Sequence, residues 1–227
     1  MDNENPLVQL NESAGGALVQ QDDTKALAAL GGGKNFLPYI QLFTSRNDKV
    51  TSGEIPMNSW GLVEGENTTV LGTDIDIMPV AWRPMAMDTS DENAVVVFDP
   101  QLDDDGKPTG IFAQIQDKAD EPGMNGAMYG PQYLVWVPEV RKFATWWLNS
   151  KTARNLSQTV HTRLKMGATI GSRLIDNGKY KWQAPTIKPC STPFDMPDQD
   201  ELQRVYDDFI NPPAPKVEVA EEDERER

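Results

Sequence analysis

Residues 70–82, VLGTDIDIMPVAW, decide how this chain folds. Val70, Gly72, Asp74 and Asp76 alternate with Leu71, Thr73, Ile75 and Ile77, the period of two that a strand shows when only one face meets a core. Pro79 and Pro84 cannot donate to a ladder, so the end of this strand is expected at an edge or a bulge. The same texture extends outward in both directions from Phe36, as short apolar and β-branched runs separated by Gly, Pro, Asn and Asp. It predicts strands near 36–44, 60–64, 68–82, 94–99, 110–116 and 133–138.

After Pro138 the period changes. Val140, Phe143, Ala144, Trp147 and Leu148 follow i, i+3, i+4, i+7, i+8 spacing and predict a helix with Trp147 on its core face. A second helix is expected over 152–166, with Ala153, Leu156, Val160 and Leu164 inward and Arg154, Gln158, His161 and Lys165 forming another stripe. SRLIDNGKYKWQ at 172–183 predicts a hairpin with a two-residue type I′ turn at Asn177-Gly178. That turn would set Asp176 opposite Lys179, Ile175 opposite Tyr180 and Arg173 opposite Trp182. A last amphipathic helix is expected at 199–210 on Leu202, Val205, Tyr206 and Phe209. The fold class is α+β, a twisted antiparallel sheet or OB-like partly open barrel with two to three helices.

The expected organisation is a flexible arm at 1–34, a single strand-rich nucleic-acid-binding domain at 35–210, and a Pro-rich hinge with an acidic tail at 211–227. Gly31-Gly32-Gly33-Lys34 lacks the upstream Gly and the following Ser or Thr of a phosphate-binding loop, since Ala28 and Asn35 stand there. No apolar run approaches the ~20 residues that cross a bilayer, and MDNENPLVQL has no signal-like core, so no membrane partner and a cytoplasmic location are expected. With one cysteine, Cys190, and one histidine, His161, neither a disulfide nor a Cys/His zinc site is available, and no cofactor is expected.

The 227 residues carry a net charge of −14, which taken alone opposes binding to a polyanion. The charge is unevenly placed. Residues 141–190 hold ten basic side chains against one acid, Asp176; that local +9 leaves −23 for the rest. Aromatics are interleaved with these cations, the mixture that holds single-stranded nucleic acid through phosphate pairing and base stacking. The candidate nucleic-acid-binding residues are Arg154, Arg163, Lys165, Arg173, Lys179, Tyr180, Lys181 and Trp182. The tail KVEVAEEDERER, with six acids and three bases, is suited to compete with DNA at low salt and to recruit replication or recombination proteins.

Catalysis has little to work with. A nucleophilic enzyme would have to use His161 as base, on a stripe that supplies cations and no orienting carboxylate. Asp74 and Asp76 point to one strand face and are able to share a divalent cation, with Asp99 and Lys118 as the remaining candidates of a nuclease site. In so acidic a chain a solvated strand face, or an edge strand guarded by charge, is the commoner source of such a pair.

LPYIQLFTS at 37–45, GTDIDIMPVAWRPMAMD at 72–88, MYGPQYLVWVPEVRKFATWW at 128–147 and YKWQAPTIKPCSTPFDMP at 180–197 resemble a family of small, uncharacterised tailed-bacteriophage proteins. The resemblance, and a layout similar to phage single-stranded DNA-binding proteins, implies a role in phage replication or recombination in the host cytoplasm. The chain ends in Glu-Arg-Glu-Arg, without the aromatic or proline tip of the best-known such tails. The expected function is non-enzymatic, sequence-tolerant binding of single-stranded DNA. The alternatives are a metal-dependent nuclease using Asp74 and Asp76, or a virion or host-targeting interaction protein.

Overall fold

The structure is a computed structural model and describes residues 37–90, 94–123, 126–190, 193 and 195–211. The expected N-terminal arm and acidic tail lie outside the described residues. Among the described residues nine strands and five helices follow one another as β1 (Tyr39–Leu42), α1 (Asp48–Thr51), β2 (Trp60–Glu64), β3 (Asn67–Gly72), β4 (Ile75–Asp88), β5 (Val95–Phe98) and α2 (Gly110–Asp120). Then come β6 (Ala127–Val137), β7 (Lys142–Trp147), α3 (Lys151–Arg154), α4 (Ser157–His161), β8 (Ala168–Asp176), β9 (Lys181–Pro189) and α5 (Gln199–Ile210).

The strands form one curled, half-barrel sheet in the order β3-β2-β1-β7-β6-β4-β8-β9, with β5 also on β4. The α+β class agrees with the sequence, and the half-barrel is compatible with an OB-like open barrel. Three details differ from expectation. There are more strands, there are five helices among the described residues where two to three were expected, and the sheet is mixed, because β1 runs parallel to β7 while the other pairs are antiparallel.

β4 organises the sheet. Its fourteen residues span about 45 Å at ~3.3 Å each. β6 lines one side from Met78 to Asp88, while β8 takes Ile75–Ile77 and β5 takes Met85–Asp88 on the other. The prolines fit this plan. The register shifts between Pro79 and Ala81, the bulge expected there. Pro84 faces Pro131, whose carbonyl accepts from Leu148 N at 3.0 Å and therefore points toward β7, so this pairing asks neither proline for an N–H.

Both faces of the sheet are covered. Tyr133, Val135, Val137, Ala144 and Trp146 join Trp60, Ile75 and Ile77 in one cluster with Ala153 of α3 and Val160 of α4. On the opposite face Leu134, Trp136 and Phe143 pack against Val205 and Phe209 of α5. The last helix matches its expected bounds, and Asp198 Oδ1 caps it by accepting from Asp200 N and Glu201 N. Arg83 fastens its far end, donating to Phe209 O at 2.6 Å and to Gln132 Oε1 at 2.9 Å between the rings of Phe98 and Phe209. Burial pushes the Arg83 pKa down to about 10, against the opposing pull of Asp99.

Several expectations are corrected. Residues 110–116 begin α2, in which Phe112, Ile115 and Ala119 share one packed face at helical spacing. Residues 142–147 are β7 and not a helix. The sheet is buried on both sides there, so apolar residues are nearly continuous and no longer report a period. The single helix at 152–166 is two short ones followed by turns, with Lys165 at φ 61°. Asn155, Ser157, Thr159 and Thr162 give this segment little helical propensity.

Candidate nucleic-acid interface

The basic segment folds into neighbouring elements: α3, α4, the turn at 162–166, β8 and β9, with α3 packed beside β9. Only Ala168–Ile170 of β8 pair with β4. From Gly171 to Asp176 the sole strand neighbour of β8 among the described residues is β9, so the hairpin leaves the sheet as an arm about 20 Å long. Along it Arg173, Lys179, Tyr180 and Lys181 are exposed and Trp182 is half-buried.

The tip differs from the expected two-residue turn. Asp176 pairs with Lys181, leaving Asn177–Tyr180 as a four-residue loop. Asn177 Oδ1 accepts from Lys179 N at 3.1 Å and Tyr180 N at 2.6 Å, and Asp176 Oδ1 accepts from Gly178 N at 2.8 Å. Gly178 has φ +85° but Asn177 does not share the positive φ that a type I′ turn requires. The side-chain oxygen of Asn177 satisfies amides that would otherwise join the ladder, which lengthens the loop. The register moves by two, so strand faces are preserved: Ile175 now faces Trp182 and Arg173 faces Ala184. Tyr180 moves from the ladder to the loop, where Lys179 Nζ lies 5.1 Å from its ring centroid. Lys181 bonds Asp176 at 2.8 Å and holds that carboxyl below its ordinary range, with help from the Gly178 amide. The Trp182 Nε1 is enclosed and has no hydrogen-bond partner among the described residues.

The remaining candidates separate into two kinds. Arg154 is committed to the fold. Its Nη1 donates to Tyr129 O at 3.2 Å and Asn149 O at 2.9 Å, its Nη2 meets Asp120 Oδ1 at 3.2 Å, and its guanidinium lies 3.9 Å from the Tyr129 ring centroid. By contrast, no hydrogen bond or ion pair among the described residues engages the side chains of Arg163, Lys165 or Arg173. Breaking the expected helix also separates Lys165 from a common stripe with Arg154.

His161 turns inward. Its ring centroid lies 4.5 Å from that of Trp82 and 5.6 Å from that of Tyr133, and its Nε2 is enclosed without a partner. Burial pushes its pKa down. Trp82 itself is 42% exposed and escaped notice in the sequence; its signal is a tryptophan between two strand prolines.

Asp74 and Asp76 border a concavity of about 650 Å³ also lined by Glu139, Thr169 and Asp195. Each of these aspartates has a partner: Lys188 Nζ lies 3.5 Å from Asp74, Thr169 Oγ1 donates to Asp76 Oδ1 at 2.6 Å, and Arg141 meets Asp195 at 3.3 Å. Asp99 follows β5 beside Met85, at the far end of β4 and roughly 30 Å away along the strand. Lys118 is bound to Asp88 at 2.7 Å. These four candidates therefore do not converge, and among the described residues no group of three or more His, Cys, Asp or Glu is placed to hold a metal.

No protein-family model matches the chain, and neither a curated protein nor a solved structure matches it. Among the described residues no helix is long and apolar enough to cross a membrane.

Proposed function

We propose that this protein binds single-stranded DNA without sequence preference and without catalysis, in bacteriophage replication or recombination in the host cytoplasm. The observation that carries the proposal is the β8–β9 arm, which holds Arg173, Lys179, Tyr180 and Lys181 exposed and clear of the sheet in a protein of net charge −14. Exposed cations attract phosphates, Arg173 having no acid partner among the described residues, and an exposed ring beside them stacks on any base. An OB-like reading of the half-barrel agrees with this use, as does the resemblance to tailed-phage proteins. Replication or recombination proteins are the proposed partners of the acidic tail.

Polarisation titrations with labelled oligo-dT and a duplex of equal length, with and without EDTA or manganese, test the proposal. The single strand binds more tightly, log affinity falls linearly with log salt at about 0.7 per phosphate contacted, and neither strand is cut. Arg173→Glu together with Lys181→Glu weakens binding and lowers the salt slope. Salt-insensitive affinity, or cleavage restored by manganese, overturns it.

A further inference from the structure

We infer that Trp82 and His161 form a nucleobase-stacking subsite, separate from the β8–β9 arm, on the path of the bound single strand. The inference rests on the proposed single-strand binding and adds where a base is held.

The location follows from the connectivity of β4. On its outer side β8 stops at Ile77 and β5 starts at Met85, so residues 79–84 have no strand neighbour there among the described residues. Trp82 sits in this gap, 42% exposed, while its register partner Tyr133 is fully buried. A lone surface tryptophan needs no explanation, but this ring is backed by a second one. α4 holds His161 at 4.5 Å, tilted by 42°, and Tyr133 supports the imidazole from behind at 5.6 Å. The Tyr133 hydroxyl in turn donates to Ser157 O at 3.2 Å, which ties the core side chain to the first residue of α4. Because burial lowers the proton affinity of His161, the pair offers a neutral π surface.

The surroundings select the occupant. The backbone N of Lys165 donates to Pro79 O at 2.6 Å, which pins the turn after α4 beside the open part of β4. Arg163 and Lys165, both in that turn, have side chains with no partner among the described residues. An exposed indole alone suits a proline-rich peptide as well as a base. Two cations in that turn, unclaimed by any acid among the described residues, favour a polyanion whose bases project from a phosphate backbone.

The test uses the full chain, oligo-dT and an abasic oligomer of the same length. Trp82→Ala binds oligo-dT roughly 5- to 150-fold more weakly, Trp82→Phe recovers most of the loss, and the abasic oligomer does not distinguish either variant from the wild type. An oligonucleotide carrying 5-iodouracil, irradiated on the wild-type chain, crosslinks to the peptide containing Trp82, a readout that does not depend on any variant folding. Failure of the wild type to bind any single strand overturns the proposed function and this subsite together. Wild-type binding with Trp82→Ala unaffected, an equal loss for oligo-dT and the abasic oligomer, crosslinks confined to the β8–β9 arm, or Trp82-dependent capture of a proline-rich peptide in place of oligo-dT overturns the subsite alone.

Discussion

Two hairpins of this protein, β6–β7 and β8–β9, have similar strand chemistry and opposite surroundings. β6–β7 lies inside the sheet between β4 and β1, and Tyr133, Leu134, Val135, Trp136 and Val137 are all at most 3% exposed. β8–β9 is anchored through three residues of β8, and beyond them Arg173, Leu174 and Lys181 face solvent. The first hairpin has a covering layer on each face, α3 and α4 on one and α5 on the other. Among the described residues the arm has no strand beyond β9. Stability is therefore concentrated in one hairpin, and a surface free to meet a ligand is left on the other.

Breaking the buried hairpin has the largest effect. Leu134→Ala, which removes methyls from a site with no exposure, lowers unfolding free energy by about 2–5 kcal/mol in a urea melt, whereas Leu174→Ala on the arm, 58% exposed, changes it by about 0.5 kcal/mol or less. Equal losses would erase the distinction between the hairpins. Arg154→Ala comes next, because it removes the hydrogen bonds to Asp120 Oδ1 and to the carbonyls of Tyr129 and Asn149. A loss of about 2–3 kcal/mol in the same melt is expected. An unchanged melt with weaker DNA binding would return Arg154 to the binding surface. Trp182→Ala sharpens the comparison on the arm itself: oligo-dT affinity falls by about 1–2 kcal/mol while the melting temperature changes little, and unfolding instead would make the ring part of the core.

The smallest effect is a pH dependence outside both hairpins. Burial alone would raise the Asp88 carboxyl, but hydrogen bonds from Lys118 and from the Ser90 amide and hydroxyl outweigh it and hold the group below its ordinary value. Folding depresses this pKa, so its contribution is present above about pH 4 and is lost as pH falls through the folded value. Asp88→Asn removes that part of the acid slope, about 1 kcal/mol at most given the partial exposure of Lys118.

Legibility in the sequence followed the number of covered faces. β2 and α5 were placed at their observed bounds because Trp60–Glu64 is a short apolar run and Leu202, Val205, Tyr206 and Phe209 repeat along one helix face over a polar one. β7 was mistaken because a strand covered on both sides has no polar face, and Val140, Phe143, Ala144, Trp147 and Leu148 then satisfy helical spacing by chance. The hairpin at Asn177-Gly178 was legible as a hairpin, yet the Asn177 side chain chose the longer loop. Charge segregation was visible in the sequence, but not which cations the fold itself engages.

The α+β class, the bulge at Pro79, the +9 segment and the last helix were all written in the order of residues. They depend on interactions a few residues apart: side-chain alternation, a missing N–H, capping by Asp198, the summed charge of one stretch. The parallel pairing of β1 with β7, the commitment of Arg154 to Tyr129 and Asp120, and the meeting of Trp82 with His161 came only with the assembled sheet. Each joins residues separated by dozens of positions. No local preference encodes such a contact; it arises when burial of both sheet faces forces one packing arrangement on the whole chain.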